Sequence, residues 1–318
     1  PWRAPGRGSA RPLRPLGLAT AVRIRAATRG SALARWQTNH LIGLLASVHP
    51  EVDVEVVVVE TTGDLDRITP LEQMGGQGVF VKEVQAAVLD GRADIGVHSA
   101  KDLPALTPEG LVFACVPGRA DARDALVGCR WADLPDGATV ATGSIRRRAH
   151  LAHLRPDLGF AGLRGNIATR LEKAAGFDAI VMAAAALDRL GIRPDVVDRL
   201  DPSVLLPQVG QGAVAVECRT DDDGVREMLV AVEDAVARRT VDAERAFLAE
   251  LGAGCDLPIA AHAVIDGDEV LLTGAISSPD GAVLVREARR SADGPTLGRT
   301  LARYLLDERG GTELLESQ

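Results

Sequence analysis

Lysine, paired cysteines and long hydrophobic runs are all scarce in this chain of 318 residues. No uncharged apolar stretch approaches the roughly 18 residues that a transmembrane helix needs, so no membrane span is predicted. The four cysteines form no C-x-x-C pair and have no pair of histidines nearby, which argues against a zinc motif and against a small disulfide scaffold. A reducing compartment is therefore expected. The cysteines lie at positions 115, 129, 218 and 255.

The chain is acidic overall, and its basic residues are almost all arginine. The formal net charge of −8 argues against nucleic acid as a partner, because binding phosphates requires a basic surface. Lysine supplies only three of the 36 basic residues, at positions 82, 101 and 173, so the other 33 are arginine. With this bias an arginine indicates a binding site only through its position.

The N-terminal segment differs in composition from the rest of the chain. Residues 1–25 contain six arginines and no acidic residue. This composition predicts a disordered basic extension over residues 1–21. Organellar targeting is the alternative, since transit peptides are also rich in arginine and poor in acidic residues.

Strand and helix patterns alternate from residue 22 onward, which predicts an α/β fold of two units. The first unit has predicted strands at 22–28, 52–60, 94–98 and 111–116, with helices from Ser31 and through 80–88. The second has predicted strands at 138–142, 158–163 and 177–182, with helices capped by Ser144 and Asn166. Residues 209–218 predict one more strand, which we expect to return to the first sheet. Two lobes joined by crossing segments would enclose a cleft where ligands bind.

The pattern changes after a helix predicted at 242–251. Three apolar runs, at 259–265, 270–276 and 283–289, are separated by Asp-Gly dipeptides, which are typical of hairpin turns. A small antiparallel sheet with a closing helix near 296–306 is predicted.

Two arginines follow the predicted cap Ser144. Arg146 and Arg147 would lie in the first helical turn, where each opposes the helix dipole at a cost of ~0.3–1 kcal/mol. Together with the free backbone N–H groups they would form an anion receptor. A solvated basic face is the alternative.

The same arrangement recurs at two other predicted helix starts. Arg29 precedes the helix from Ser31, while Arg164 and Arg170 flank the cap Asn166. Three such junctions indicate a ligand with several carboxylates or phosphates.

Residues 98–104 follow a predicted strand, where catalytic groups of open α/β sheets often lie. We interpret Asp102 as a carboxylate that stabilises a cation formed during a reaction. A surface ion pair between Lys101 and Asp102 is the alternative, and His98 is expected to be structural.

Cys255 lies in a predicted loop between small residues, which would leave its thiol accessible. Accessibility suits covalent attachment of a group, whereas inert packing is the ordinary role of a cysteine. Cys115 and Cys218 fall within apolar strands and are expected in the core. The glycine-rich segments at 75–78 and 210–212 lack the spacing of a nucleotide-binding loop, so they predict turns or mobile loops.

Seven segments taken together resemble the porphobilinogen deaminase family, from about Arg25 to the C-terminus. No single segment decides the assignment, but seven in the same order at matching separations do. The segments are ATRGSALARWQ, GGQGVFVKE, ADIGVHSAKDLP, TGSIRRRAHL, LRGNIATRL, VGQGAVAVECR and GAGCDLPIAAHA.

The resemblance implies an α/β fold of three domains. Two periplasmic-binding-protein-like lobes with parallel-rich mixed sheets would be followed by a small α+β C-terminal domain with an antiparallel three-stranded sheet. Residues 22–117 with 213–230 would form the first domain, 120–206 the second and 235–318 the third, which attaches the cofactor. The segments 116–120 and 205–212 are candidate hinges.

The resemblance also implies a transferase of tetrapyrrole (haem) biosynthesis. Four porphobilinogen molecules would condense head to tail, with loss of ammonia, on a dipyrromethane cofactor held by Cys255 through a thioether. Hydrolysis would then release linear hydroxymethylbilane. Asp102 matches the family's essential aspartate, which stabilises positive charge on the reacting pyrroles. We expect a cytoplasmic monomer with no metal and with neither nucleic acid nor a membrane as partner.

Each pyrrole carries an acetate and a propionate, which explains arginines at helix starts. Besides Cys255 and Asp102, the residues that match cofactor contacts of the family are Ser99, Lys101, Thr142, Ser144, Arg146, Arg147 and Arg170. Those that match its substrate contacts are Arg29, Ser31, Phe80, Arg164, Arg170 and Arg189.

Three positions depart from the family pattern. Gln77 stands where some relatives have a lysine in the active-site loop, Gly143 replaces a hydroxyl residue, and Ala253 interrupts a double glycine before Cys255. The alternative function is a two-lobed anion- or solute-binding protein without catalysis, which would give Cys255 no purpose.

Overall fold

The computed structural model describes residues 22–65, 78–252 and 257–316. The predicted extension at 1–21, together with Gln77, Ala253 and Cys255, lies outside the described residues. No helix within these ranges is long and apolar enough to cross a membrane.

The strands are β1 Val22–Arg29, β2 Val52–Val59, β3 Ile95–Ser99, β4 Leu111–Cys115, β5 Asp124–Val127, β6 Thr139–Ala141, β7 Gly159–Ala161, β8 Ala179–Ala183, β9 Val197–Arg199, β10 Val214–Arg219, β11 Ile259–Asp266, β12 Glu269–Ser277 and β13 Leu284–Ser291. The helices are α1 Ala32–Val48, α2 Thr62–Leu65, α3 Lys82–Leu89, α4 Ile145–Leu154, α5 Ile167–Glu172, α6 Ala184–Arg189, α7 Asp223–Val230, α8 Ala235–Glu250, α9 Gly294–Asp307 and α10 Gly311–Glu316.

The first lobe is built on a five-stranded sheet in the order β2-β1-β3-β10-β4. β1 pairs in parallel with β2 and β3, whereas β10 pairs antiparallel with β3 and β4. The predicted return of the chain to this sheet is confirmed, although the strand begins at Val214 and residues 209–213 precede it. β3 and β10 lie inside the sheet with nearly every residue buried, and the two buried polar side chains on them, His98 and Glu217, lie 3.2 Å apart (Nε2 to Oε2).

The second lobe has a sheet in the order β7-β6-β8-β5-β9. β6 pairs in parallel with β7 and β8, and β5 pairs antiparallel with β8 and β9. Both lobes therefore have mixed sheets, as the resemblance implies. The sequence pattern missed β5 and β9, which contain only four and three residues. β6 and β7 are equally short, but each was predicted because a recognisable helix cap, Ser144 or Asn166, follows it.

The C-terminal domain contains the predicted antiparallel sheet in the order β11-β12-β13. Helices α8 and α9 cover it with apolar side chains such as Phe247 and Leu301, which are fully buried. α8 begins at Ala235, seven residues before its predicted start. Asp234 caps it by accepting from the backbone N–H groups of Val236 and Ala237. The pattern missed this first part, in which Arg238 and Arg239 interrupt the apolar residues.

Two crossing segments, at residues 118–120 and 208–213, join the lobes. They are hydrogen-bonded to each other, since Arg119 and Ala213 form an isolated antiparallel bridge. The carboxylate of Glu244, fully buried on α8, accepts from Arg119 Nη1 at 2.8 Å and from the backbone N–H of Gly210 at 2.7 Å. The C-terminal domain therefore binds both crossings. Hinge motion at these segments stays a prediction.

Gly298 of α9 allows a close crossing with α8. An added Cβ would collide with the carbonyl oxygen of Ala243 and lie 2.8 Å from the backbone nitrogen of Phe247. We predict that Gly298→Ala lowers the free energy of unfolding by about 1–3 kcal/mol, because the backbone collision outweighs the higher helix propensity of alanine. Urea unfolding measures this change.

Gly43, in the middle of α1, is the matched control. Gly43 lies on the exposed side of α1, and nothing lies within 4 Å of an added Cβ. Gly43→Ala is therefore expected to stabilise the protein by roughly 0.5–1 kcal/mol. Equal stability of the two variants would contradict the close helix crossing.

Candidate active site

Two arginines of α4 share one buried carboxylate. Ser144 caps the helix, as predicted, and accepts from the backbone N–H of Arg147. Asp124 of β5 is fully buried and binds Arg146 at 2.8 Å (Nη2 to Oδ2) and Arg147 at 2.7 Å (Nη2 to Oδ1). Burial acts to raise the pKa of Asp124, but Arg146 and Arg147 outweigh it and lower this pKa to about 2. One carboxylate therefore balances two cations, which leaves an excess positive charge.

Most of the remaining donors of this pair are bound to backbone. Arg146 Nη1 donates to the carbonyl oxygen of Leu206 at 2.5 Å, and Arg147 Nη1 donates to that of Val181 at 3.0 Å. The Nε–H of Arg146 is buried and has no hydrogen-bond partner in the described part of the chain. Because an unpaired buried donor is costly, this group would gain from binding an anion.

Arg170 of α5 adds to the excess of positive charge. The predicted cap Asn166 is confirmed, since its side chain accepts from the backbone N–H of Thr169 at 2.9 Å. Burial, followed by the charges of Arg147 and Arg164, lowers the pKa of Arg170 to about 10. The structure therefore brings Arg170 close enough to Arg147 and Arg164 to be repelled by both.

Lys101 and Asp102 approach this cluster from the first lobe. They lie in a 3-10 helix, Ala100–Asp102, at the carboxyl end of β3. Burial, then Arg147, lowers the pKa of Lys101 to about 8, while Asp102 acts to raise it. Asp102 also acts against the lowering of the pKa of Arg170 on the second lobe. Its carboxylate therefore faces cations from both lobes.

The other predicted residues of the first lobe are held locally. The guanidinium of Arg29 lies 4.1 Å from the ring centroid of Phe80, within range of a cation–π interaction. Ser31 caps α1. The hydroxyl of Ser99 accepts from Gln37 Nε2 at 2.9 Å and lies 3.2 Å from Gln37 Oε1.

Arg189 and Thr142, the last two predicted residues, each contact backbone near the site. Arg189 Nη2 donates to the carbonyl oxygen of Gly212 at 2.6 Å, and its guanidinium lies 5.3 Å from the ring centroid of Trp36. Burial lowers the pKa of Arg189 to about 10. Arg189 therefore joins α6 to the crossing segment and to α1. Thr142 Oγ1 accepts from the backbone N–H of Ser144 at 3.2 Å and supports the start of α4.

A cavity of about 430 Å³, including its open mouth, lies where the two lobes and the C-terminal domain meet. Its walls combine cationic and apolar side chains, an arrangement that suits a ring bearing carboxylates. Leu257, which lines it, follows Cys255 by two positions. The lining residues are Ala100, Lys101, Leu103, Ser144, Arg146, Gln208, Val209, Arg245, Leu248, Leu257 and Ile259.

These residues fit a cofactor that carries several carboxylates. The excess of guanidinium groups would be neutralised by such a group, and the unpaired Nε–H of Arg146 would gain an acceptor. Dipyrromethane, with an acetate and a propionate on each ring, has this character. The residues that the sequence predicts to hold it are Ser99, Lys101, Thr142, Ser144, Arg146, Arg147 and Arg170.

Sequence reasoning missed three residues that organise the site. Asp124 lies in β5, which the sequence pattern missed, and Gln211 was interpreted as part of a turn. Arg245 donates to the carbonyl oxygens of Pro104 and Ala105 at 3.1 and 3.2 Å, which holds the loop that follows Asp102. One signal was available, namely an aspartate at the start of the apolar run that forms β5.

Two family models match the chain. They are the porphobilinogen deaminase dipyromethane cofactor binding domain, over residues 24–227, and the porphobilinogen deaminase C-terminal domain, over residues 238–307. A porphobilinogen deaminase from Roseiflexus sp. (strain RS-1) is 47% identical over 294 residues, which cover 91% of this chain and 97% of the relative. One from Nitratidesulfovibrio vulgaris is 43% identical over 302 residues, which cover 91% and 95%.

Among solved structures, the periplasmic VFT2 domain of BvgS from Bordetella pertussis matches 66% of this chain and 86% of its own chain. Its TM-score is 0.39 at 17% identity. The two family matches and the similarity to named relatives, by contrast, extend over most of the sequence. The chain therefore belongs to the porphobilinogen deaminase family, transferases of tetrapyrrole biosynthesis with a dipyrromethane cofactor.

Proposed function

We propose that the chain is a hydroxymethylbilane synthase. It condenses four porphobilinogen molecules head to tail onto a dipyrromethane primer bound to Cys255, releases ammonia at each step, and then frees linear hydroxymethylbilane by hydrolysis. The observation that carries this proposal is the excess of positive charge beside the cavity lined by Leu257, where the single carboxylate of Asp124 pairs with both Arg146 and Arg147 and where Lys101 also lines the wall. A solute-binding protein without catalysis is not favoured, because the family consists of enzymes.

The proposal extends to the organisation of the chain. Residues 22–117 with 213–230 form the first domain, 120–206 the second and 235–318 the third. The three sheets described above support this division. We also propose that the enzyme acts as a cytoplasmic monomer.

Binding of the primer falls to the cations of both lobes. Arg146, Arg147 and Arg170 grip its carboxylates through charge-assisted hydrogen bonds, and Lys101 binds them as a point charge. Ser99, Thr142 and Ser144 contribute neighbouring polar groups. When bound, dipyrromethane supplies the free α-carbon that attacks the incoming substrate.

Asp102 acts on the reacting pyrroles. Loss of ammonia from the protonated aminomethyl group of porphobilinogen leaves an electron-poor azafulvenium cation, and a carboxylate near its N–H stabilises the positive charge. Exclusion of water from the site strengthens this interaction, because the local dielectric constant falls. The residues that bind the carboxylates or ring of the substrate are Arg29, Ser31, Phe80, Arg164, Arg170 and Arg189.

The thioether predicts a defined mass. Intact-mass spectrometry of the purified protein should show one covalent dipyrrole, and Cys255→Ser should remove it completely. Cys129→Ser is the matched control and should keep the adduct, because Cys129 packs with the core of the second lobe. A dipyrrole still attached to Cys255→Ser would contradict the assigned anchor.

Asp102→Asn should leave the primer attached but stop its elongation. The amide cannot neutralise the cationic intermediate, so kcat should fall by about 10²-fold to 10³-fold or more. Steady-state turnover of porphobilinogen measures this loss, and thermal unfolding checks that the fold is intact. Asp268→Asn, at an exposed turn, is the control and should turn over normally. Normal turnover by Asp102→Asn would remove its assigned role.

Lys101 should limit activity at alkaline pH. Its pKa is lowered to about 8, so its positive charge is present below that pH and is lost as the pH rises through it. Bound carboxylates raise the pKa of an ammonium, so we expect kcat/KM to fall at pH 8 or above. Lys101→Arg, whose guanidinium stays charged, should move this decline to higher pH. An unchanged pH profile in Lys101→Arg would show that another group titrates.

A further inference from the structure

The amide of Gln211 joins charged groups of the two lobes. Gln211 is fully buried in a crossing segment. Its Nε2 donates to Asp124 Oδ1 at 3.0 Å and to the carbonyl oxygen of Ala122 at 2.7 Å. Its Oε1 accepts from Lys101 Nζ at 3.3 Å. The Asp124 carboxylate of the second lobe is thereby connected to the Lys101 ammonium of the first.

The backbone around Gln211 is also fixed. Its carbonyl oxygen accepts from Arg119 Nε at 3.1 Å, and its N–H donates to the carbonyl oxygen of Gln208 at 2.9 Å. Arg119 is in turn bound to buried Glu244. The side chain of Gln211 therefore starts from an anchored backbone and has both ends of its amide engaged.

The amide of Gln211 satisfies both charged neighbours at this position. A carboxylate needs a donor, whereas an ammonium needs an acceptor, and a glutamine offers one of each. Glutamate would place a second negative charge against Asp124, and methionine would provide neither group. A glutamine at position 211 therefore suits the negative Asp124 on one side and the positive Lys101 on the other.

We infer that Gln211 and Asp124 are positioning residues, which set the distance between the Lys101–Asp102 pair and the Arg146–Arg147 pair across the lobe boundary. This inference rests on the proposed function, in which both pairs act on one bound pyrrole chain. Asp124 orients the two arginines directly, and Gln211 ties the lysine to the same carboxylate. Misplacement of such groups by about 1 Å can cost about 10²-fold in rate.

Gln211→Met tests the connection without removing a charge. We expect the holoenzyme to keep its covalent dipyrrole and its thermal stability to within a few degrees, while kcat falls about ten- to a hundredfold. The groups that face Lys101 are Arg146, Arg147, Asp102 and Asp124. Loss of the Gln211 acceptor should lower the pKa of Lys101 further, so the alkaline decline in kcat/KM should move to lower pH by about half a unit.

Gln211→Glu should move the alkaline decline in the opposite direction, because an added negative charge favours the ammonium. Asp124→Asn should reduce the fraction of protein that carries the dipyrrole, since the arginines lose their shared partner. If Asp124→Asn does not fold, the two Gln211 variants decide the inference. Asp94→Asn is the control: it breaks ion pairs with Arg25 and Arg219 in the first lobe and should leave the pH profile unchanged.

Wild-type kcat and an unmoved alkaline decline in Gln211→Met would overturn the inference. So would an equal shift in Asp94→Asn, because the effect would then be general destabilisation. A wild-type chain that carries no dipyrrole and does not consume porphobilinogen would instead overturn the proposed function, and the inference with it.

Discussion

The site depends on one interaction, the pairing of the buried Asp124 carboxylate with two guanidinium groups at the start of α4. The first turn of a helix is the positive end of its dipole, so Arg146 and Arg147 would be unfavourable there without a counter-charge. Asp124 supplies it at 2.7–2.8 Å. Removing one partner of a buried ion pair typically costs about 3–5 kcal/mol, because the remaining charge is left uncompensated. The arrangement therefore holds both arginines in a single geometry before any ligand binds.

The compensation by Asp124 is incomplete, and this has a functional consequence. Burial and like charges lower the pKa of Lys101 and of Arg170, which means that the folded protein holds cations that would be more stable in water. Perturbed groups of this kind are found at functional sites more often than elsewhere. A ligand that brings carboxylates would relieve the repulsion, so part of its binding energy is stored in the free protein. The chemistry of a polycarboxylate pyrrole chain fits this demand.

A second buried carboxylate performs a related task at the junction of the domains. Glu244 of α8 binds Arg119 on one crossing segment and the backbone of Gly210 on the other, and it also accepts from the backbone N–H of Ala263 on β11. Arg119 and His262 outweigh the effect of burial and lower the pKa of Glu244. The C-terminal domain, which carries Cys255 in sequence, is thus tied to the two segments that connect the lobes. The cavity lies beside this junction, since Gln208 and Val209 of the second crossing segment line it.

The sequence by itself determined the long elements, the caps Ser144 and Asn166, the hairpin sheet and the family. These follow from local rules: apolar periodicity over many residues, side chains that cap their own helix, and Asp-Gly turns. The sequence also indicated Arg146 and Arg147 as candidate anion-binding residues, because their position at a helix start opposes the helix dipole. Only the tertiary structure decided which group balances them. Asp124 precedes Arg146 by 22 residues and Gln211 follows Lys101 by 110, so no local pattern joins either pair. Their encounter depends on strand order within the sheets and on the return of the chain across the lobes, which place residues distant in sequence within hydrogen-bonding distance.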